Sequence, residues 1–154
     1  MPSPEEPDYA PWRLGLDTAL RDIRGDVILI GHSLGGSVLL KHLSEEALHA
    51  RVTAVFSVSA PFWGGDKDWH DEEFTLSDSF VHRLPTSAQL WFYHAKDDPI
   101  VPFSRLLLYA EKLSQATIRT LDGDDQTIPR RSIKKPLPGR VDREGATTCK
   151  SLLR

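Results

Sequence analysis

The sequence holds a single cysteine, Cys149, so no intramolecular disulfide can form. That suits a reducing compartment and points to the cytoplasm. It also has no apolar run long enough to span a bilayer. Its N-terminal residues 1–7, MPSPEEP, are acidic and lack the apolar centre of a signal peptide. Charge is nearly balanced: 19 Lys and Arg against 22 Asp and Glu give a net charge of −3. Nothing in that balance calls for a nucleic-acid or membrane partner. No internal repeat is present. The histidines are scattered, and none has the spacing to a second and third ligand that a metal site needs. The glycine pair at 35–36 is not followed by Lys and Ser or Thr, which excludes a phosphate loop. No cofactor or metal is therefore expected.

What is there centres on residues 27–35, VILIGHSLG. Residues 27–30 form an apolar run that reads as a buried strand. It leads directly into Gly31-His32-Ser33-Leu34-Gly35, which fits G-x-S-x-G, and then into a helix over 37–43 with Val38, Leu39 and Leu43 on its apolar face. A strand, a sharp turn and a helix give this motif its meaning. The turn forces Ser33 into a strained backbone conformation, and Gly31 and Gly35 allow strand and helix to approach closely. Ser33 Oγ is then raised at the carboxyl edge of the sheet. The N–H of Leu34 lies at a helix N-terminus, where a developing negative charge is favoured.

The remaining chain alternates helix and strand. Asp8 caps a helix that accepts Pro11 in its first turn, with Trp12, Leu16, Leu20 and Ile23 on one face and Gly25 as its stop. Residues 52–59 form a second strand rich in β-branched residues. Residues 61–84 make a long excursion carrying Trp63, Trp69, Phe74 and Phe80. Two readings of it stay open: a cap lining a substrate pocket, or a surface loop anchored by aromatics. A third strand over 90–94, a turn over 95–102, a helix over 103–113 with Leu106, Leu107, Ala110 and Leu113 facing the sheet, and a fourth strand over 116–121 complete the pattern. Strands separated by helices imply a parallel sheet with right-handed crossovers. One domain fits the chain length.

From residue 124 the character changes. Residues 124–154 hold eight Lys or Arg against four acids, with three prolines and little apolar periodicity. This reads as a basic, disordered tail. A nucleic-acid-binding arm and translation in a shifted frame are the alternatives, although no aromatic interleaving or recognition motif supports nucleic acid.

The segment GHSLGG at 31–36 resembles the nucleophile elbow of the α/β-hydrolases. Further similarities at 7–9 (PDY) with Trp12, at 39–43 (LLKHL), at 60–63 (APFW) and at 97–103 (DDPIVPF) resemble the small serine hydrolases related to the retinoblastoma-binding serine hydrolase. The resemblance covers residues 1–123. It implies a three-layer α/β/α fold with a mostly parallel sheet, and hydrolysis of ester or related acyl substrates. No segment before Asp8 has strand character. The chain is therefore expected to lack the first strand of that fold, with its oxyanion-hole loop, and the usual C-terminal element. The resulting unpaired edge beside the elbow strand would favour self-association.

By the same resemblance Ser33 is the nucleophile, Leu34 an oxyanion donor and Asp98 the acid that orients the base, with Asp97 the runner-up. Asp98 lies just past the carboxyl end of the third strand, where crevices of α/β sheets form; a turn that caps the next helix is the plainer role for this pair. Family order is Ser, acid, His. Here all six histidines, His32, His42, His49, His70, His82 and His94, precede Asp98. Relatives carry Leu-Asp-Gly and then Gly-His after the last strand; this chain has Leu121-Asp122-Gly123, but Asp125 near the histidine's place. A carboxylate there is a weaker base and adds negative charge beside Asp98. The expectation is thus a serine hydrolase with weak or no activity. The alternatives are a non-catalytic binding domain and a truncated product.

Overall fold

The computed structural model describes residues 8–48, 50–64, 66–121 and, for the backbone, 148–149. Helix α1 spans Tyr9–Leu20, and Asp8 caps it by accepting a hydrogen bond from the N–H of Ala10 at 2.9 Å. Its buried face is Leu16 and Leu20, with Trp12 and Ile23 packed at the margin of the core. The helix stops before the expected Gly25, because the N–H of Arg21 bonds back to Asp17 and that of Ile23 to Leu20. Strand β1 (Asp26–His32), helix α2 (Leu34–Glu45) and strand β2 (Arg51–Val58) follow. A short helix α3 (Phe80–Arg83) sits within the excursion. Strand β3 (Gln89–Ala95), helix α4 (Ser104–Lys112) and strand β4 (Thr117–Leu121) complete the main sequence of elements.

The strands form one parallel sheet in the order β4-β3-β2-β1, extended at its far edge by a two-residue strand β5, Thr148–Cys149. This is the parallel α/β arrangement that alternating strands and helices imply. Thr148 pairs with Val27 and Cys149 with Ile28, so the edge beside β1 is covered at its start and the basic tail contributes a strand. The rest of the expected disordered tail falls outside the described residues.

Alternation along the strands sets the core. Val27 and Leu29 of β1, Val52 and Val55 of β2, and Leu90 and Phe92 of β3 pack with Leu16 and Leu20 of α1 and with Val38, Leu39, Leu40 and Leu43 of α2. Helix α2 is buried on nearly every side, not on a single face. In α4 the buried positions are Arg105, Leu106 and Tyr109, while Leu107, expected to face the sheet, is exposed. Tyr109 takes that place: its ring centroid is 4.9 Å from those of both Phe62 and Phe92. On the alternate positions of the sheet, half-buried Phe56 stacks with Trp91 and Tyr93, centroids 6.1 and 6.3 Å away.

Candidate functional site

The junction of β1 and α2 is held by backbone contacts. Ser33 has φ 51° and ψ −129°, a region that costs an L-residue free energy and persists only where its surroundings enforce it. The enforcement is visible. The N–H of Ser33 donates to the carbonyl of Val58 at the end of β2 (2.8 Å), and the N–H of Gly36 donates to the Ser33 carbonyl (2.9 Å). Strand and helix meet so closely that a Cβ on Gly31 would lie 2.6 Å from the carbonyl oxygen of Gly35, which is the approach expected of that glycine pair. Gly36 is equally tight, and was not anticipated: its Cβ would lie 2.7 Å from that of Ala60 and 2.8 Å from Ser57 Oγ. Leu34 opens α2, so its N–H is among those with no intrahelical acceptor.

The neighbouring strand repeats the device. Ser59, just past β2, also has positive φ (46°), is buried, and donates its N–H to the carbonyl of Tyr93 in β3 (2.8 Å). The carboxyl ends of β1, β2 and β3 are therefore tied in a stair, strand to strand. The Ser59-Ala60-Pro61 break after an apolar strand is the only sequence signal for it.

Asp98 sits in the turn between β3 and α4 with its side chain fully enclosed. Its Oδ1 accepts hydrogen bonds from the N–H groups of Ile100 and Val101, both at 2.9 Å. Its Oδ2 lies 3.6 Å from His94 Nε2, and that nitrogen lies 2.8 Å from the carbonyl oxygen of Val101. Asp98 thus organises the turn, and His94, near the end of β3, packs against it, edge-on to Phe103. Asp97 is exposed.

The other histidines divide by burial. His42 is enclosed under α1, 3.6 Å from an Asp17 carboxylate oxygen, and burial pushes its pKa down despite that carboxylate. His32 ends β1 half-buried; His70 and His82 are exposed. His49 lies outside the described residues, as do residues 122–125. Among the described residues no histidine hydrogen-bonds Ser33 Oγ.

The excursion packs its aromatics inward. Phe74 and Phe80 are buried, Trp63 contacts Trp69 and Phe74, and the Pro61 carbonyl accepts hydrogen bonds from Ser37 (2.5 Å) and Tyr109 (2.9 Å). A surface cavity of about 310 Å³ is lined by Asp8, Tyr9, Lys41, Glu45, Glu72 and Glu73. It lies against the C-terminal turns of α2, whereas Ser33 precedes the N-terminus of that helix. Among the described residues no group of His, Cys, Asp or Glu is arranged to hold a metal ion. No described helix is long and apolar enough to cross a membrane.

A parallel α/β sheet with a strained serine between strand β1 and helix α2 is the arrangement of an α/β-hydrolase. The family model for serine hydrolases matches residues 2–123, and the chain belongs to that family. Among solved structures it is similar to the ydeN gene product of Bacillus subtilis: 26% identity, TM-score 0.68, covering 80% of this chain and 66% of that one. A YdeN-like hydrolase from Pectobacterium atrosepticum shares 20% identity with a TM-score of 0.55, covering 76% of this chain and 57% of that one. A carboxylesterase structure from the thaumarchaeon Nitrososphaera gargenis shares 14% identity with a TM-score of 0.58, covering 78% and 65%. This chain thus spans less than two thirds of the length of these proteins. No curated protein matches it.

Proposed function

We propose that this chain acts on ester or related acyl bonds through Ser33, slowly, with the Leu34 N–H facing the oxyanion and Asp98 as the acid of the site. The observation that carries the reading is the Ser33 backbone at φ 51° and ψ −129°, enforced by Val58 and by the Gly31–Gly35 approach. In the reaction Ser33 Oγ would attack the acyl carbon and give up its proton to water, the carbonyl oxygen would gather charge at the start of α2, and the alcohol would leave after taking a proton from water. Water would then release the acyl group from Ser33. Slowness follows because no histidine among the described residues hydrogen-bonds Ser33 Oγ. Base assistance contributes about 10²–10⁴-fold, and the members of a triad act as a unit. A reducing, cytoplasmic setting belongs to this reading and rests on the single cysteine.

A second reading, a binding domain on a hydrolase scaffold, is favoured by the turn contacts of His94 and the exposure of His70 and His82. One experiment separates the two. The full chain and its Ser33→Ala variant are treated with a fluorophosphonate probe and assayed with p-nitrophenyl acetate. Slow labelling confined to Ser33, with turnover below about 1 s⁻¹, supports the slow hydrolase. Turnover above that rate, lost in Ser33→Ala, would mean that a histidine does serve as base. Absence of labelling leaves the binding domain.

A further inference from the structure

Arg105 is a buried cation with more donors than acceptors. It lies in the first turn of α4, directly after the Asp98 turn and on the carboxyl side of the sheet, and its side chain is only 8% exposed. One of its five N–H groups, on Nη2, is bonded to Oδ2 of Asp66 from the excursion. Nε and Nη1 are enclosed and have no acceptor among the described residues. Its guanidinium also lies over the Trp69 ring, 5.6 Å from the centroid, and Trp63 packs on that indole at 5.5 Å with its own Nε1 enclosed and without an acceptor among the described residues. Buried donors left without acceptors are costly. A guanidinium is moreover a planar fork suited to a carboxylate.

Asp66 meets this demand only in part. Its side chain is 45% exposed, and its Oδ1 is already used by the N–H groups of Asp68 (3.2 Å) and Trp69 (3.1 Å). The contact with Arg105 holds its carboxyl below the usual carboxylate range, so it is charged at neutral pH. We infer that Arg105, flanked by Trp69 and Trp63, forms a binding subsite for the carboxylate of a small ligand with a flat apolar body, and that Asp66 partly occupies it. The ligand's carboxylate takes the place of the Asp66 carboxylate on the guanidinium, and its body lies against the indoles. Both the excursion and α4 start at the sheet edge that carries Ser33. The ligand is thus either a free carboxylate or an acyl substrate bearing one. The inference is independent of hydrolysis, because binding is read without turnover.

The test uses benzoate, with benzamide as its neutral counterpart, titrated into the full chain and followed by tryptophan emission. Benzoate should give a saturable change with a Kd on the order of 1 mM, and benzamide at least about 10-fold weaker binding. Asp66→Asn removes the competing negative charge and should tighten benzoate by about 3–10-fold. Arg105→Met, which keeps an apolar stem in the buried space, should weaken it at least about 10-fold. Equal binding of benzamide, or unchanged or weaker benzoate binding in Asp66→Asn, would overturn the proposal even if Arg105→Met fails to fold. Slowing of fluorophosphonate labelling by benzoate would assign the carboxylate to a substrate reaching Ser33; binding that leaves labelling unchanged would assign it to a free ligand.

Discussion

Replacing Gly31 with alanine tests whether the elbow is shaped by steric contact. The added Cβ would lie 2.6 Å from the Gly35 carbonyl oxygen, 2.7 Å from the Gly35 carbonyl carbon and 2.7 Å from Gly36 Cα. All three are backbone atoms in the first turn of α2, so no side-chain rotation can make room. Overpacking of this kind costs about 1–3 kcal/mol, and an immovable neighbour places Gly31→Ala near the top of that range. The loss of unfolded-state freedom returns about 0.4–1 kcal/mol, leaving a net destabilisation of about 2 kcal/mol. At about 4 °C per kcal/mol for a domain of this size, the midpoint should fall by roughly 8 °C. Gly15→Ala is the control. Gly15 is exposed in α1 with nothing within 4 Å of an added Cβ, so alanine there should stabilise by about 0.5–1 kcal/mol. Urea unfolding followed by circular dichroism measures both, with an unchanged m-value indicating a change in stability alone. A Gly31→Ala loss below about 0.5 kcal/mol would show that strand and helix can part freely, and the account of Ser33 as enforced by close packing would fail.

Stability should depend on pH through His42. Burial depresses its folded pKa below 6.5, Arg13 acts in the same direction, and Asp17, Glu46 and Glu45 offset part of the effect. The neutral form is therefore favoured in the folded state, and stability present above pH 6.5 is lost as pH falls from there toward the depressed value. Urea midpoints measured at pH 7.5, 6.5 and 5.5 should decline, with a flatter decline in His42→Gln; an identical slope in the variant would remove His42 as the cause. Asp98 should separate folding from chemistry. Asp98→Asn keeps an acceptor for the N–H groups of Ile100 and Val101, so its stability should change by less than about 1 kcal/mol, whereas Asp98→Ala strands them and should cost about 1–3 kcal/mol. Fluorophosphonate labelling of Ser33 should drop in both variants; normal labelling in Asp98→Asn would leave Asp98 a turn residue only.

The elements that were legible in the sequence are those specified by nearby residues. Asp8 marks the start of α1, the apolar run at 27–30 gives β1, and the β-branched residues near 52–58 give β2, each within a residue or two of the observed bounds. Helix α4 shows where local pattern fails. Its run Leu106-Leu107-Leu108 carries no phase of its own. The phase is set by Phe62 and Phe92, which claim Tyr109 and rotate Leu107 outward while Arg105 turns inward. Strand β5 was missed for a related reason. Two residues hold no strand periodicity, and their pairing with Val27 and Ile28 is made across the sheet, not along the chain.

The same division separates the two halves of the candidate site. An elbow can be written in six consecutive residues, because the strain at Ser33 is imposed by the strand before it, the helix after it and the two glycines between them, with one long-range bond to Val58. A base must instead arrive from elsewhere in the chain, at hydrogen-bond distance from one oxygen. Asp98 illustrates why a matching motif does not settle such a role. Its Oδ1 bonds to Ile100 and Val101 are reason enough for an aspartate at that turn, and they draw His94 into the same structural unit. The elbow is thus maintained by packing that folding itself requires. It stands whether or not a histidine reaches Ser33, which makes the serine's geometry a mark of family and its reactivity a separate quantity.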